Sequence, residues 1–229
     1  MGLKTRLRQA RTLLLVPVDA ETDPPTLVEQ AIDAGVDIIG VTGSSLDPRR
    51  LGIAFGELEA TFGQRAIVAL VNAPELGERL KPDAVLVDRA VDAKAAKAHR
   101  WTLVGRFVDN LDHFAQAQDD PAVDYLILGP VFGNGTDQLE LVSAAARRAP
   151  IDDRQSKPWF AMGGINVTNL QAVLDAGARR VGIAAAFTRA KRPQQVATAI
   201  VDAVNRSWVT DPGSEQATLG SFLTKPIQF

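Results

Sequence analysis

The sequence predicts an α/β protein, a single (β/α)8 barrel of the TIM-barrel class followed by a C-terminal apolar tail. Eight short apolar segments alternate with eight segments of helical character along 229 residues. The repeat is about 25–30 residues long, which matches an eight-unit barrel far better than an open sheet of six strands. The strand segments are apolar throughout, as expected for parallel strands covered by helices. We therefore place the barrel in residues 1–209 and the tail in residues 210–229.

The predicted strands are short runs rich in valine, leucine, isoleucine and alanine that end in turns or polar loops. The first of them follows a basic N-terminus and resembles a signal peptide, but the apolar run is short and meets Pro17 and Asp19 at once. We interpret it as a strand. The eight strands are 13–18, 37–41, 66–71, 84–87, 101–104 or 101–108, 125–128, 159–162 and 181–186.

The intervening helices are predicted from apolar residues at helical spacing and from residues that favour helix ends. Asp23-Pro24-Pro25 begins the first helix, and Gly35 ends it. Asn166 or Thr168 caps the seventh. The remaining helices are predicted over 49–61, 74–80, 92–99, 111–118, 139–148 and 193–208.

Residues 158–187 form the segment around which the chain is organised. It has the pattern strand, glycine turn, helix, strand, and the turn is Gly163-Gly164. Glycines leave main-chain N–H groups unobstructed, so the turn and the small residues after the next strand suit an anion-binding site. The alternative is a plain βαβ unit with glycines that serve packing alone. Phosphate in such barrels usually binds after the seventh and eighth strands, which favours the anion site.

Composition excludes several classes of function. Hydrophobic content is 46%, charged content is 23% and the formal net charge is −2, which gives no electrostatic basis for binding nucleic acid or acidic membranes. The absence of cysteine excludes disulfides, thiol catalysis and thiolate metal sites. With only two histidines, a multi-histidine metal site is not expected. No apolar run approaches a membrane span, and we expect a cytoplasmic protein.

The tail combines a linker-like start at 211–214 with apolar residues near its end. We expect it to dock, either on its own barrel or on a partner chain in a homo-oligomer; the alternative is a frayed terminus. The apolar residues are Leu219, Phe222, Leu223, Ile227 and Phe229.

Three segments resemble the thiamine phosphate synthase superfamily, which includes the synthase and the related thiazole tautomerase. Leu103–Asn110 (LVGRFVDN) is similar to the segment at the fifth strand of that family. Asp124–Phe132 (DYLILGPVF) and Pro158–Asn166 (PWFAMGGIN) match its motifs DYxxxGPVF and PxxAxGGIN. The resemblance extends over about residues 103–187 and is poor before them.

The resemblance implies a phosphate site made of main-chain amides around Gly163, Gly164, Ala184 and Ala185. It also implies a threonine that contacts phosphate, at the position of Thr136. The expected ligand is a small phosphorylated molecule.

Other positions depart from the family pattern. The family grips pyrophosphate with Gln-x-Arg-x-Lys after the second strand, where this chain has Gly40, Thr42 and Ser44. A family lysine after the sixth strand corresponds to Asp137, and this reversal of charge would repel a diphosphate.

The metal positions of the family also differ. Its aspartates after the third and fourth strands correspond to Asn72 and to Val91, which has Asp92 beside it. We therefore expect Mg²⁺ as a cofactor only if the family chemistry survives, and the cofactor is otherwise unknown.

Three charged residues at strand ends are candidates for catalysis. Asp109 stands where the tautomerase has its catalytic histidine, and a carboxylate there can serve as a general base. Asp88 is a second candidate acid or base, with an ion pair to Arg89 as the alternative. Arg106 follows as an anion contact directed to the barrel mouth, with a structural pairing to Asp88 or Asp109 as the alternative. The two histidines, His99 and His113, are expected in helices, on the outer surface.

The function expected first is a thiamine phosphate synthase-like phosphate-binding barrel without the standard magnesium–pyrophosphate chemistry. If it is an enzyme, it is a transferase or a tautomerase. The alternatives are a non-catalytic regulatory paralogue with a partner-docking tail, an active thiamine phosphate synthase, and a barrel similar to prenylglyceryl phosphate synthases, which the segment 37–45 resembles.

Overall fold

The computed structural model describes residues 1–19, 23–43, 47–133 and 135–222, with Thr136 described by its main chain alone. Eight parallel strands close into a barrel in the order β1-β8-β7-β6-β5-β4-β3-β2. This confirms the predicted (β/α)8 fold. The strands are β1 Thr12–Pro17, β2 Ile38–Thr42, β3 Ile67–Val71, β4 Ala84–Val87, β5 Leu103–Val108, β6 Tyr125–Leu128, β7 Trp159–Met162 and β8 Val181–Ile183.

Helices surround the barrel. A short antiparallel hairpin with two residues in each strand, Phe132–Gly133 and Thr136–Asp137, follows β6. A 3-10 turn spans Pro74–Leu76. The α-helices are α1 Leu3–Gln9, α2 Pro24–Asp33, α3 Pro48–Phe62, α4 Gly77–Leu80, α5 Ala93–Ala96, α6 Leu111–Asp119, α7 Leu139–Arg148, α8 Leu170–Asp175, α9 Ala185–Thr188, α10 Pro193–Val209 and α11 Ser214–Phe222.

Three local predictions were wrong. Residues before β1 form the helix α1, where the sequence analysis placed only a basic N-terminus. The helix predicted over 92–99 ends at Ala96, so His99 lies outside it. The last strand stops at Ile183, because Ala185 already begins α9.

Two hydrophobic cores hold the fold together. One fills the barrel lumen and includes Leu13, Ile38, Tyr125 and Phe160. The other lies between the barrel and its helices. Gly105 makes room for Tyr125 in the lumen, since a Cβ at Gly105 would lie 2.2 Å from Tyr125 Cζ. The phenol donates a buried hydrogen bond of 3.1 Å to the carbonyl of Val85.

The helix α11 lies at the end of the barrel where the strands begin. It packs against α1, and Gln9 Nε2 donates to Ser221 Oγ over 3.0 Å. The predicted tail residues Leu223, Ile227 and Phe229 lie outside the described part of the chain, and docking of the whole tail stays a prediction. In the described residues we find no helix whose length and apolar character would let it cross a membrane.

Candidate functional site

The carboxyl ends of β7 and β8 enclose a cavity of about 370 Å³ at the barrel mouth. All four residues predicted for the phosphate site line this cavity: Gly163, Gly164, Ala184 and Ala185. The short helix α9 directly follows β8 and begins at the cavity. Barrels of this class often bind phosphate at the loops after their last two strands and at a short extra helix.

The turn after β7 accepts only glycine. Gly163 and Gly164 have φ angles of 101° and 67°, a region that residues with a Cβ rarely adopt. Added Cβ atoms would lie 2.5 Å from Pro130 Cα and 2.4 Å from the carbonyl oxygen of Phe132. The two glycines therefore permit both the turn and the close approach of the loop after β6.

Main-chain N–H groups at this turn and at the start of α9 are available to bind a ligand. Among the described residues, none accepts a hydrogen bond from the amides of Gly164, Ala185 or Ala186, whereas the carbonyl of Gly164 accepts one of 3.0 Å from Asn169 Nδ2. Three amides without a protein acceptor around one cavity form a site that fits an oxyanion.

The loop after β6 is fastened to the same turn. Val131 N donates to the carbonyl of Met162 over 2.8 Å, and Phe132 N donates to that of Gly163 over 2.9 Å. The main chain of Thr136 pairs with Gly133 in the hairpin above. The hydroxyl of Thr136 lies outside the described part of the structure, so its contact with phosphate stays a prediction.

A second group of polar side chains follows β5. His113 Nδ1 lies 2.5 Å from Asp109 Oδ1, and Arg89 Nη1 lies 2.7 Å and 2.8 Å from the two ring nitrogens of His113. Asn110 caps α6 by accepting from His113 N over 2.9 Å. The hydrogen bond from His113 lowers the pKa of the Asp109 carboxyl; burial, the next largest effect, opposes it, and the charges of His113 and Arg89 lower it further. Asp109 and His113 therefore form a carboxylate–imidazole pair.

His113 was missed as a functional residue. It lies on a helix, as predicted, but in the first turn, where the third helical residue faces back toward the preceding strand end. The capping residue Asn110 was the available signal in the sequence, because it places the start of α6 directly after β5.

The cation Arg106 lies on the helix side of β5. Its neighbours Val104 and Val108 belong to the core outside the barrel, while Gly105 faces Tyr125 in the lumen. Arg106 Nη1 and Nη2 donate to the carbonyls of Arg89 and Val91 over 3.2 Å and 2.9 Å. Arg106 therefore fastens the loop after β4, and the pairing with Asp88 or Asp109 that the sequence left open is not formed.

Asp88 follows β4 directly. Its main-chain N–H donates to Asn72 Oδ1 over 2.9 Å, and its side chain is exposed. The ion pair considered between Asp88 and Arg89 is replaced by one between Arg89 and Asp109, with a distance of 3.6 Å.

We call the cavity lined by Gly163, Gly164, Ala184 and Ala185 the cradle. It is separate from the polar group around Asp109 and His113. Asp109 and Asn110 line a separate, open cleft of about 870 Å³ between α6 and α7. In the barrel, β6 alone separates β5 from β7. A ligand anchored at Gly164 would therefore have to extend across the end of β6 to reach Asp109.

Residues at the family's metal positions take part in hydrogen bonds within the fold. Asn72 Oδ1 is occupied by the Asp88 amide, and Asp92 Oδ1 caps α5 by accepting from Lys94 N over 2.9 Å. The carbonyl of Val91 accepts from Arg106. Across the described residues, no three histidine, cysteine or acidic side chains come together in a group that could hold a metal.

The described residues at the family's grip positions on the second strand are Gly40 and Thr42. A Cβ at Gly40 would lie 2.5 Å from Leu15 Cδ2, so an apolar side chain fills the space that a longer residue would need. Thr42 ends β2. Ser44, and with it the turn that resembled prenylglyceryl phosphate synthases, lies outside the described residues.

Comparison with known families gives a consistent result. Residues 13–187 match the family model described as thiamine monophosphate synthase. The thiamine-phosphate synthase of Thermobifida fusca is 31% identical over 206 residues, covering 85% of this chain and 92% of the relative. That of Mycobacterium tuberculosis is 34% identical over 220 residues, covering 85% and 94%.

Solved structures agree on the fold. Thiamine phosphate pyrophosphorylase from Pyrococcus furiosus superposes with a TM-score of 0.77 at 18% identity, covering 90% of this chain and 99% of that one. A 3-hexulose-6-phosphate synthase superposes with a TM-score of 0.64 at 22% identity, covering 84% and 99%. At these identities the likeness concerns the barrel alone.

Proposed function

The chain belongs to the thiamine monophosphate synthase family, and we propose that it anchors the phosphate of a small phosphorylated metabolite at Gly163, Gly164, Ala184 and Ala185 without the standard magnesium–pyrophosphate chemistry. The observation that carries this proposal is the set of three amides, of Gly164, Ala185 and Ala186, that have no acceptor among the described residues and surround one cavity.

The proposed phosphate site is supported by the kind of hydrogen-bond donor at the cavity, which is the main-chain amide. Main-chain amides hold an oxyanion without the entropic cost of ordering long side chains, and small residues leave the anion room to approach. The glycine turn and the loop after β6 are held rigidly by hydrogen bonds to Met162 and Gly163, so the donors are positioned before the ligand arrives.

Proton transfer is assigned to Asp109 together with His113. A carboxylate that orients an imidazole is a common general-base arrangement, because it selects the ring tautomer and stabilises the protonated ring. Asp88, exposed after β4, is the second candidate for this role. Arg106 positions the loop that carries Arg89, and Arg89 is the cation nearest to the pair.

The proposed loss of the magnesium–pyrophosphate chemistry is supported by the residues that stand at the positions serving that chemistry in the family. Asn72, Val91 and Asp92 are all engaged in hydrogen bonds that hold the loops after β3 and β4. Asp137, in the hairpin above the cradle, adds negative charge where a diphosphate needs cations.

The first experiment is phosphate binding measured by calorimetry at fixed ionic strength. Ala185→Asp places a carboxylate at the cradle and should weaken binding by tenfold or more, because like charges repel in a partly desolvated cavity. Ala172→Asp, an exposed position on α8 outside the cavity, is the matched control and should bind as the wild type does. Equal binding by all three proteins would refute the cradle.

A second function, active thiamine phosphate synthase, is favoured by the printed names of the relatives. It is tested by incubating the chain with thiazole phosphate, pyrimidine diphosphate and Mg²⁺. Formation of thiamine phosphate that stops on addition of a chelator would establish the synthase and end the proposal that the magnesium chemistry is lost. No product above the protein-free control, with a family synthase turning over in parallel, would support the proposal.

A further inference from the structure

The end of the barrel opposite to the cradle holds an unusual concentration of arginines. Arg8 lies near the end of α1, Arg11 lies directly before β1, and Arg180 lies directly before β8. The guanidinium carbons of Arg11 and Arg180 each lie 4.8 Å from the centroid of the Trp208 ring. A cavity of about 360 Å³ opens beside them, lined by Arg8, Arg11, Asn205, Trp208 and Thr218 among others. We call this cavity the base pocket.

Positive charge at the base pocket is not matched by ion pairs. Among the described residues, no carboxylate lies within ion-pair distance of the guanidinium of Arg8, Arg11 or Arg180. The one acidic residue that lines the pocket, Asp37, uses Oδ2 to accept from Arg11 N, Thr12 N and Thr12 Oγ1 over 2.8–3.0 Å. Its charge therefore serves the start of β1 and acts on Arg11 and Arg180 only at longer range, as that of Asp153 does on Arg8.

Burial makes this imbalance costly. Arg180 is 6% exposed and donates to the carbonyls of Ala10 and Arg8, which satisfies its hydrogen bonds but brings no negative charge. Burial, and then the charges of Arg8 and Arg11, lower the pKa of Arg180 to about 9. Burial also lowers the pKa of Arg11, against a smaller opposing effect of Asp37. A buried cation with like-charged neighbours is stabilised when an anion binds nearby.

Two buried donors in the pocket wall lack acceptors. Neither Arg11 Nε nor the indole Nε1 of Trp208 has a hydrogen-bond partner, and Trp208 is 3% exposed. Buried donors of this kind are rare in native proteins and need a partner. The pocket thus combines unneutralised charge with enough volume for a small ligand, since small-molecule sites have about 300–1,000 Å³, and two of its lining residues carry buried donors without acceptors.

We propose that the base pocket is a second oxyanion site, which binds inorganic phosphate or the phosphate group of a small metabolite. Planar guanidinium groups match the geometry of phosphate oxygens, which explains why arginines rather than lysines line the pocket. Thr218 belongs to α11, so a bound anion would connect α11 to α1 and to the end of α10 and would stabilise the closure of this face.

The three tryptophans allow a site-specific test by NMR. Trp208 lies at the base pocket, Trp101 is exposed elsewhere, and Trp159 Nε1 donates to the carbonyl of Ala149. Phosphate titrated at constant ionic strength should move the indole N–H resonance of Trp208 along a saturable curve and leave the other two unchanged. Chloride at the same ionic strength should move none of them.

Substitutions complete the test. Arg11→Gln should raise the apparent dissociation constant read at Trp208 by about tenfold, the effect of losing one charge-assisted contact. Arg8→Gln is the second variant and should weaken binding in the same direction; its side chain is less tied into the fold, with one exposed hydrogen bond to the carbonyl of Arg154. Arg50→Gln, an exposed position on α3, is the charge-matched control and should leave the curve unchanged.

The outcomes are unambiguous. A Trp208 resonance that does not respond to phosphate, that responds equally to chloride, or that titrates in both Arg11→Gln and Arg8→Gln as it does in the wild type overturns the proposal. Parallel titrations with inorganic phosphate and glycerol phosphate identify which source the pocket prefers. The cradle is tested independently, because Ala185→Asp should leave the Trp208 titration as it is in the wild type.

Discussion

The side chain of Asn72 accepts a hydrogen bond of 2.9 Å from the main-chain N–H of Asp88. This bond joins the loops after β3 and β4 at the barrel mouth. Asn72 has a φ of 50°, a left-handed conformation that asparagine tolerates better than most residues. The residue that stands at a metal position of the family therefore has a structural task in this chain.

Two substitutions of Asn72 separate the contribution of its hydrogen bond from that of its left-handed backbone. Asn72→Ala loses the acceptor and strains the backbone, and should lower the free energy of unfolding by about 1–2 kcal/mol. Asn72→Gly loses the acceptor but removes the strain, so it should be less destabilising. Urea denaturation measures both. A glycine variant as unstable as the alanine variant would contradict a role for the left-handed backbone.

Gly105 should tolerate no side chain. Gly105→Ala would place its Cβ 2.2 Å from Tyr125 Cζ in the filled lumen, and we expect a loss of about 3 kcal/mol or more from overpacking. The control is Gly56→Ala, an open helical position on α3 where nothing lies within 4 Å of the new Cβ. That variant should be more stable than the wild type by about 0.5–1 kcal/mol. Thermal denaturation that ranks the two variants in the opposite order would refute this account of the lumen.

The Asp109–His113 pair should make stability depend on acid pH. Since the pKa of Asp109 is lower in the folded state, its contribution is present above the unfolded pKa of about 4 and is lost as pH falls through the folded pKa. The stability difference between the wild type and Asp109→Asn should therefore shrink from pH 6 to pH 3. We expect a small effect, because the Asp109 side chain is 55% exposed.

Asp112→Asn supplies the control for this experiment. Asp112 is an exposed carboxylate in the first turn of the same helix. Urea midpoints measured across the pH range compare the two variants. A difference between wild type and Asp109→Asn that stays constant down to pH 3 would contradict the pairing.

Tyr125 is the only tyrosine in the chain, which makes its ionisation directly observable. Burial raises the pKa of its hydroxyl well above the ordinary value. Above about pH 10 the unfolded chain releases this proton while the folded chain retains it, so stability should fall as pH rises. Absorbance near 295 nm should show phenolate only together with loss of the circular-dichroism signal.

Tyr125→Phe checks that assignment. It removes the hydrogen bond to Val85 and leaves a buried carbonyl without that partner, which should cost about 1–2 kcal/mol at neutral pH. The variant should also lose part of the alkaline decline in stability. Phenolate that forms in the folded wild type near pH 10 would show that the hydroxyl is accessible to water.

Elements that depend on regular patterning could be predicted from the sequence. Apolar runs separated by turn residues identify all eight strands, because parallel barrel strands are buried on both faces. The position of the cavity lined by Gly163 and Gly164 was also predictable, since its signal is a glycine pair at the end of the seventh strand. Strands and turns of this kind depend on main-chain conformation and burial, and residue type shows this directly. Gly163 and Gly164, for example, mark a turn that residues with a Cβ rarely adopt.

Side-chain directions were harder to predict, for physical reasons. Arg106 was expected to point to the barrel mouth. Whether its side chain faces the lumen or the helices depends on which residues of β5 face the lumen. The fit of Tyr125 against Gly105 decides this. His113 was assigned to the outer surface because a helix face cannot be oriented without knowing where the helix begins. Arg11, which lines the base pocket, and Arg180, which lies beside it on the Trp208 ring, are distant in sequence, and only the pairing of β1 with β8 brings them together.

A cradle made of main-chain amides contains no group that titrates in the physiological range. Any pH dependence of phosphate binding at Gly164 and Ala185 would therefore come from the ligand, whose second ionisation has a pKa of about 6. Substitutions elsewhere in the mouth could change which molecule is bound while this anchor continues to work unchanged. Under the proposed function, the anchor would be a chemically neutral attachment point on which different substrate preferences could be built.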